Sequence, residues 1–170
     1  MIPISSSAAG GLVWSKTPYQ CGYELRRNGE TVGRLERKSF WSSEFHAESA
    51  QGRWKFRRTG CFRTATEIVD ASSGARIAIL RPNWTGGGAL EFGDGLTFRL
   101  TSKGFWRPVW MVETESGQPV LSVRSREKTV ELRRELPLPE ERLTLLAIFA
   151  WHIMRQASED AASAAVLIAG

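Results

Sequence analysis

Short runs in which apolar and polar residues alternate recur along most of the chain, among them GYELRRNGETVGRLERK, GRWKFRR, FRTATEIVDASSGARIAIL, ALEFGDGLTFRLT, FWRPVWMVETESGQPVLSVRS and TVELRR. A period of two sends successive side chains to opposite faces, the pattern of strands buried on one side. The runs are punctuated by Asn28-Gly29, Ser73-Gly74, Asp94-Gly95 and Ser116-Gly117, each with a glycine where a tight hairpin needs positive φ. Flanking runs are therefore predicted to pair as antiparallel hairpins. The stretch from Leu12 to Arg134 holds about twelve strands of ordinary length, and a sheet of that size curls or closes on itself. A faint echo of EIVDASSGARIAIL in WMVETESGQPVLSV, with RRNGETVGRL as a weaker third copy, recurs at roughly 45 residues and reads as two similar half-barrels.

One segment breaks the alternation. RLTLLAIFAWHIMRQ is apolar on every side of a helix, and Leu136-Pro137-Leu138-Pro139-Glu140-Glu141 before it ends the last strand and opens a helix predicted over about 139–156. Its apolar run, Leu143 to Met154, is about 12 residues long where a membrane-spanning helix needs about 20. Extending it would carry Arg155, Glu159 and Asp160 into the bilayer at ~2.5–3.5 kcal/mol each, so no transmembrane segment is expected. A helix apolar all round must be surrounded, and a barrel of about eleven or twelve strands leaves room for a helix ~10–12 Å across.

The predicted fold is thus mainly β, a closed antiparallel barrel of about twelve strands around a central hydrophobic C-terminal α-helix. Leu143, Leu146, Phe149, Trp151 and Ile153 are its expected buried residues. Residues 1–18, rich in Ser, Ala and Gly, are expected to form a loose N-terminal segment with one short strand at Leu12 to Trp14. Residues 19–158 form the barrel, and a cap at Ser158-Glu159-Asp160 leads into a short tail over 159–170.

Composition narrows the chemistry only a little. With 170 residues and 42% hydrophobic side chains the chain fits one domain with a proper core. A formal charge of +5 is compatible with anionic lipid, an acidic protein partner or nucleic acid. Cys21 and Cys61 make neither a disulfide framework nor a zinc pattern and are read as reduced thiols. The opening MIPISSSAAGGLVWS lacks the basic and apolar regions of a secretory signal, so a cytoplasmic location is expected.

His46-Ala47-Glu48 matches half of a zinc deaminase signature without the P-C-x-x-C half and reads as a solvated pair on one strand face. Gly86-Gly87-Gly88 lacks the Lys-Ser/Thr of a phosphate loop and reads as a turn or bulge. His152 reads as a core histidine satisfied by one buried hydrogen bond. No catalytic residue, metal or cofactor is predicted, and an enzyme of unrecognised type ranks last among the readings.

The best surface signal is basic. On RWKFRR, alternation turns Trp54 and Phe56 inward and sets Arg53, Lys55 and Arg57 on the outer face, while Arg124, Arg126 and Lys128 alternate similarly on a late strand. Together they are expected to form a basic barrel face suited to phosphates. The leading reading is non-enzymatic binding of anionic phospholipid headgroups, a membrane surface or an unknown protein partner. Nucleic-acid binding is the alternative, and it requires exposed aromatics where alternation turns them inward.

The many short strands with glycine turns, the final apolar helix, and the phrases EIVDASSGARIAILRPNW, ALEFGDGLTFRL, FWRPVWMVET and LPLPEERLTLLAIFAWHIM resemble the tubby C-terminal-like superfamily, which includes LURP-one-related and phospholipid-scramblase-like proteins. The resemblance covers about Tyr23 to Arg155. It implies a closed twelve-stranded barrel around a hydrophobic helix and a function at phosphoinositide headgroups or membranes. The chain lacks the family's cysteine cluster, proline-rich N-terminal region and acidic calcium loop, so scrambling itself is not expected.

Overall fold

The alternating runs become strands, and their order round the molecule is the simplest possible. The computed structural model describes residues 1–5, 11–17, 22–39, 42–60, 64–83, 87–104, 108–133 and 136–169, with side chains of the final helix described as far as Ala165. The strands are β1 (Leu12–Lys16), β2 (Gly22–Arg27), β3 (Glu30–Arg37), β4 (Phe45–Ser49), β5 (Arg53–Thr59), β6 (Ala65–Asp70), β7 (Arg76–Pro82), β8 (Gly88–Phe92), β9 (Thr97–Lys103), β10 (Val109–Thr114), β11 (Pro119–Arg124) and β12 (Thr129–Leu132), followed by α1 (Glu140–Ala169). Each strand pairs antiparallel with its sequence neighbours, and β1 also pairs with β12, so the sheet closes into a twelve-stranded barrel. Closure leaves none of the twelve strands at an open edge, the seam between β1 and β12 being the shortest ladder. Local turn chemistry supports this order: Asn28 and Gly29 both have positive φ, 50° and 85°, as the two-residue hairpin whose twist matches its strands requires.

The inward faces of the strands are mainly apolar, with Arg27, Ser49 and Thr66 buried among them, and α1 fills the space they enclose. Leu145 to Trp151, Ile153 and Met154 are buried, as are Thr144 and His152. The contacts run right round the helix. Trp151 stacks on Trp14 of β1 at 5.1 Å and meets Tyr23 of β2 edge-on at 5.6 Å. Phe149 packs edge-on against Phe56 of β5 at 5.1 Å, and His152 lies 4.5 Å from Phe45 of β4. On β3 a Cβ at Gly33 would stand 2.8 Å from the Ile148 side chain, so glycine lets that strand approach the helix. Leu145 borders a cleft with Ile77 and Phe92, and α1 also packs against β10 and β11. Of the five expected core positions, Leu146, Phe149, Trp151 and Ile153 are buried, while Leu143 is half-buried where the helix begins.

The structure corrects the expected boundaries at both ends. Within the expected loose segment 1–18, the short strand expected at Leu12 to Trp14 is part of the barrel and the described residues around it are tied in: β1 holds the gap between β2 and β12, Trp14 and Leu12 are buried, Ile4 is fully buried, and Ile2 N–H donates to Thr31 O at 2.9 Å. Without β1 two strand edges would be left unpaired. At the other end α1 does not stop near 156, nor is 159–170 a separate tail: the helix runs for 30 residues, to Ala169. That is about 45 Å at ~1.5 Å per residue, against about 26 Å for the longest strand. The helix therefore outruns its sleeve, and residues 158–165 are exposed. Ser158 caps nothing; its hydroxyl donates to Met154 O at 3.1 Å, one turn back within the same helix.

The internal echo also has a different meaning from two halves. Its three copies are the hairpins β2–β3, β6–β7 and β10–β11, spaced four strands apart in the ring. Each has a register shift at the corresponding place, after Leu25, Ile68 and Val112. The barrel is thus three similar groups of four strands.

Candidate anion-binding surface

The stripe on β5 is built as alternation predicts. Trp54 and Phe56 are buried, while Arg53 and Arg57 are exposed and Lys55 half-exposed on the outer face. Its neighbours, however, are mixed in charge. In register, Arg53 faces Glu48 and Arg57 faces Glu67, and Glu67 also binds Arg76 at 3.1 Å. The second stripe is not a strand face: Arg124 ends β11, whereas Arg126 and Lys128 lie in the β11–β12 turn, Lys128 with a φ of 56°. The two groups do not form one lateral patch either. β5 and β11 stand six places apart in a ring of twelve, on opposite walls.

A different arrangement emerges along the barrel axis. In an up-and-down barrel all odd-numbered strands run toward one end, here the end from which α1 emerges. Each of the six carries a base as its last or next-to-last residue: Lys16, Arg37, Arg58, Arg81, Lys103 and Arg124. Lys38, Arg57, Arg126 and Lys128 add to this rim. Every even strand except β2 carries an acid as its last or next-to-last residue, Glu48, Asp70, Glu91, Glu113 and Glu131, but the strands are short, and Glu91, Glu113 and Glu131 still lie within ion-pair reach of the rim. The helix begins at the end opposite the rim, with Glu140 and Glu141 in its first turn, where carboxylates favour the positive pole of the helix dipole. Four of the six predicted basic residues thus belong to the rim, Arg53 lies at the far end, and Lys55 sits between.

Part of the rim is internally paired. Arg81, Lys103 and Arg124 reach Glu91, Glu113 and Glu131 on the following strands at 3.2, 3.8 and 3.1 Å, and Lys38 reaches Glu44 at 3.3 Å. Such exposed pairs hold weakly and exchange readily for another anion. Lys16, Arg57, Arg126 and Lys128 make no ion pair among the described residues. The strand-ending bases other than Arg124 escape a reading that looks for basic alternation within one run. They become visible only when strands are sorted by odd and even position.

The remaining candidates take structural places. His46 and Glu48 share the outer face of β4, with His46 Nε2 2.9 Å from Glu44, and this pairing holds the Glu44 carboxyl below its usual range against the opposing effect of burial. A Cβ at Gly88 would stand 2.2 Å from Arg81 O, so this glycine permits close passage of neighbouring strands; Gly86 lies outside the described residues, as do Cys21 and Cys61. His152 departs from expectation. It is buried among Phe45, Phe56 and Phe149, and neither ring nitrogen has a hydrogen-bond partner among the described residues. Burial pushes it down to about 3, helped by the positive charges of Arg58 and Arg37. Among the described residues no group of three or more His, Cys, Asp or Glu is placed to hold a metal ion, and no helix is long and apolar enough to cross a membrane. No family model, curated protein or solved structure matches the chain.

Proposed function

We propose that this barrel is a non-enzymatic binding module that meets an anionic phospholipid surface end-on, with its basic rim against the headgroups. The observation that carries the reading is that all six odd strands finish on a base at the same end of the barrel. Positive charge gathered around the end from which α1 emerges suits a broad anionic surface, whereas a nucleic-acid strand needs a stripe or groove that follows its phosphates. The resemblance to a membrane-associated barrel family points the same way.

Flotation with phosphatidylcholine vesicles, with and without phosphoinositide, tests the reading. Binding is expected only to the anionic vesicles and falls as salt shortens the Debye length from ~10 Å at 0.1 M to ~3 Å at 1 M. Each basic residue at such a surface is worth about 1 kcal/mol, so Lys16→Ala with Lys128→Asn weakens binding by roughly 10- to 30-fold, while Arg53→Ala at the far end leaves it unchanged. Equal behaviour on neutral and anionic vesicles would sink the proposal. Competition by oligonucleotides at low salt, with no vesicle binding, would transfer the surface to nucleic acid.

A further inference from the structure

Two of the rim cations are already held, and the helix itself holds them. Just beyond its last buried turn, α1 carries Glu159 and Asp160 in consecutive positions. Arg37 Nη2 of β3 donates to Glu159 Oε2 at 3.0 Å, and Arg155 Nη2 donates to the other oxygen at 3.5 Å. Arg58 of β5 grips both oxygens of Asp160, Nη2 to Oδ2 at 2.9 Å and Nη1 to Oδ1 at 3.3 Å. Arg58 Nη2 also reaches Thr64 Oγ1 at 3.5 Å. A guanidinium that takes a carboxylate in this two-pronged way takes two oxygens of a phosphate equally well. Beside the pair lies a cleft of about 300 Å³ whose wall includes Thr66, Leu80, Ile153 and Ala157. Beyond Asp160 the helix residues as far as Ala165 are exposed, so among the described residues these ion pairs are the outermost ties between helix and barrel.

We propose that Arg37 and Arg58 form an oxyanion site which Glu159 and Asp160 fill in the free protein, and that a phosphate group displaces them and releases the outer part of α1 from the rim. The inference rests on the reading of the basic end as a headgroup surface, and adds which cations take the headgroup and what moves. Both pairs are exposed enough to be weak, with side-chain accessibilities of 28% and 47% for Arg37 and Glu159 and 33% and 56% for Arg58 and Asp160. A phosphate brings up to about two negative charges and several acceptor oxygens, and so outcompetes a single carboxylate. The surrounding anionic surface repels Glu159 and Asp160 once they are free, which favours the released state.

Glu159→Gln combined with Asp160→Asn removes both charges while keeping shape and helix position. Flotation on phosphatidylcholine vesicles containing phosphatidate should show this variant binding roughly three- to tenfold tighter than wild type, and Arg37→Ala with Arg58→Ala binding more weakly. Short-chain phosphatidate, free in solution, should speed amide hydrogen exchange over residues 156–165 of the wild type. In the amide variant exchange there is already fast and should not change. Inorganic phosphate run in parallel separates the sources: the same effect from it supports the site and assigns it to soluble phosphate, and no effect assigns it to the lipid headgroup. Wild type and amide variant binding anionic vesicles equally overturns the site and leaves the end-on reading standing. Absence of vesicle binding by every form overturns that reading, and the inference with it.

Discussion

Phe149 and Trp151 each close part of the gap between helix and sleeve, and each does so against an aromatic partner from a different strand. Truncating either to Ala removes a large buried ring and leaves a cavity, at a cost of ~3–5 kcal/mol. At about 2–4 °C per kcal/mol for a domain of this size, both variants should melt roughly 6–20 °C lower. A shift of under about a degree in both would contradict a helix buried in the barrel. His152 makes a different prediction, because its neighbours are rings and its nitrogens find no partner among the described residues. Unfolded, it takes up a proton near its ordinary 6.5; folded, it refuses until about 3. Stability from this residue is therefore complete above the unfolded value and is lost as pH falls through the window between the two, at up to ~1.4 kcal/mol per pH unit. His152→Leu should flatten the decline of melting temperature with pH in the upper part of that window, above the ordinary carboxylate value of 4.5. Parallel slopes for variant and wild type would show that the histidine is not held neutral.

Among the elements, β1 and α1 were the least legible at their boundaries. β1 is five residues long and follows a run of Ser, Ala and Gly, so its alternation is brief and its composition reads as a loose terminus. What makes it essential is not local: its backbone pairs with both β2 and β12, and its Trp14 lies against Trp151. Removing residues 1–16 should open two strand edges, uncover the helix and abolish cooperative unfolding. Gel filtration with circular-dichroism melting would show this as aggregation and loss of a sharp transition; a monomer with an unchanged melting curve would make β1 dispensable. α1 runs past its expected end because Ser158-Glu159-Asp160 has the composition of a cap, while an established helix propagates through alanine-rich sequence at little cost. The acids that look like a cap serve as ties to β3 and β5.

At the scale of the whole molecule the arrangement of charge depends on the topology. A meander of twelve strands sends every odd strand the same way, so bases scattered at intervals of roughly 20 residues in the sequence arrive together at one end. The same closure separates Arg57 from Arg124 across the barrel's width, although both belong to the rim. It also turns a faint repeat into a threefold pattern of bulged hairpins, since four strands occupy one third of the ring.

The sequence by itself determined the strands, the turns between them, the inward aromatics of RWKFRR and the need to enclose RLTLLAIFAWHIM. These rest on periodicity and apolarity over a few residues, which the backbone converts directly into faces and turns. Only the tertiary structure decided that β1 completes the barrel, that the helix continues beyond it, and that the bases ending the odd strands meet at one end rather than on a wall. Those facts depend on which distant segments become neighbours when the sheet closes, and closure is a property of the whole ring that no short window of residues contains.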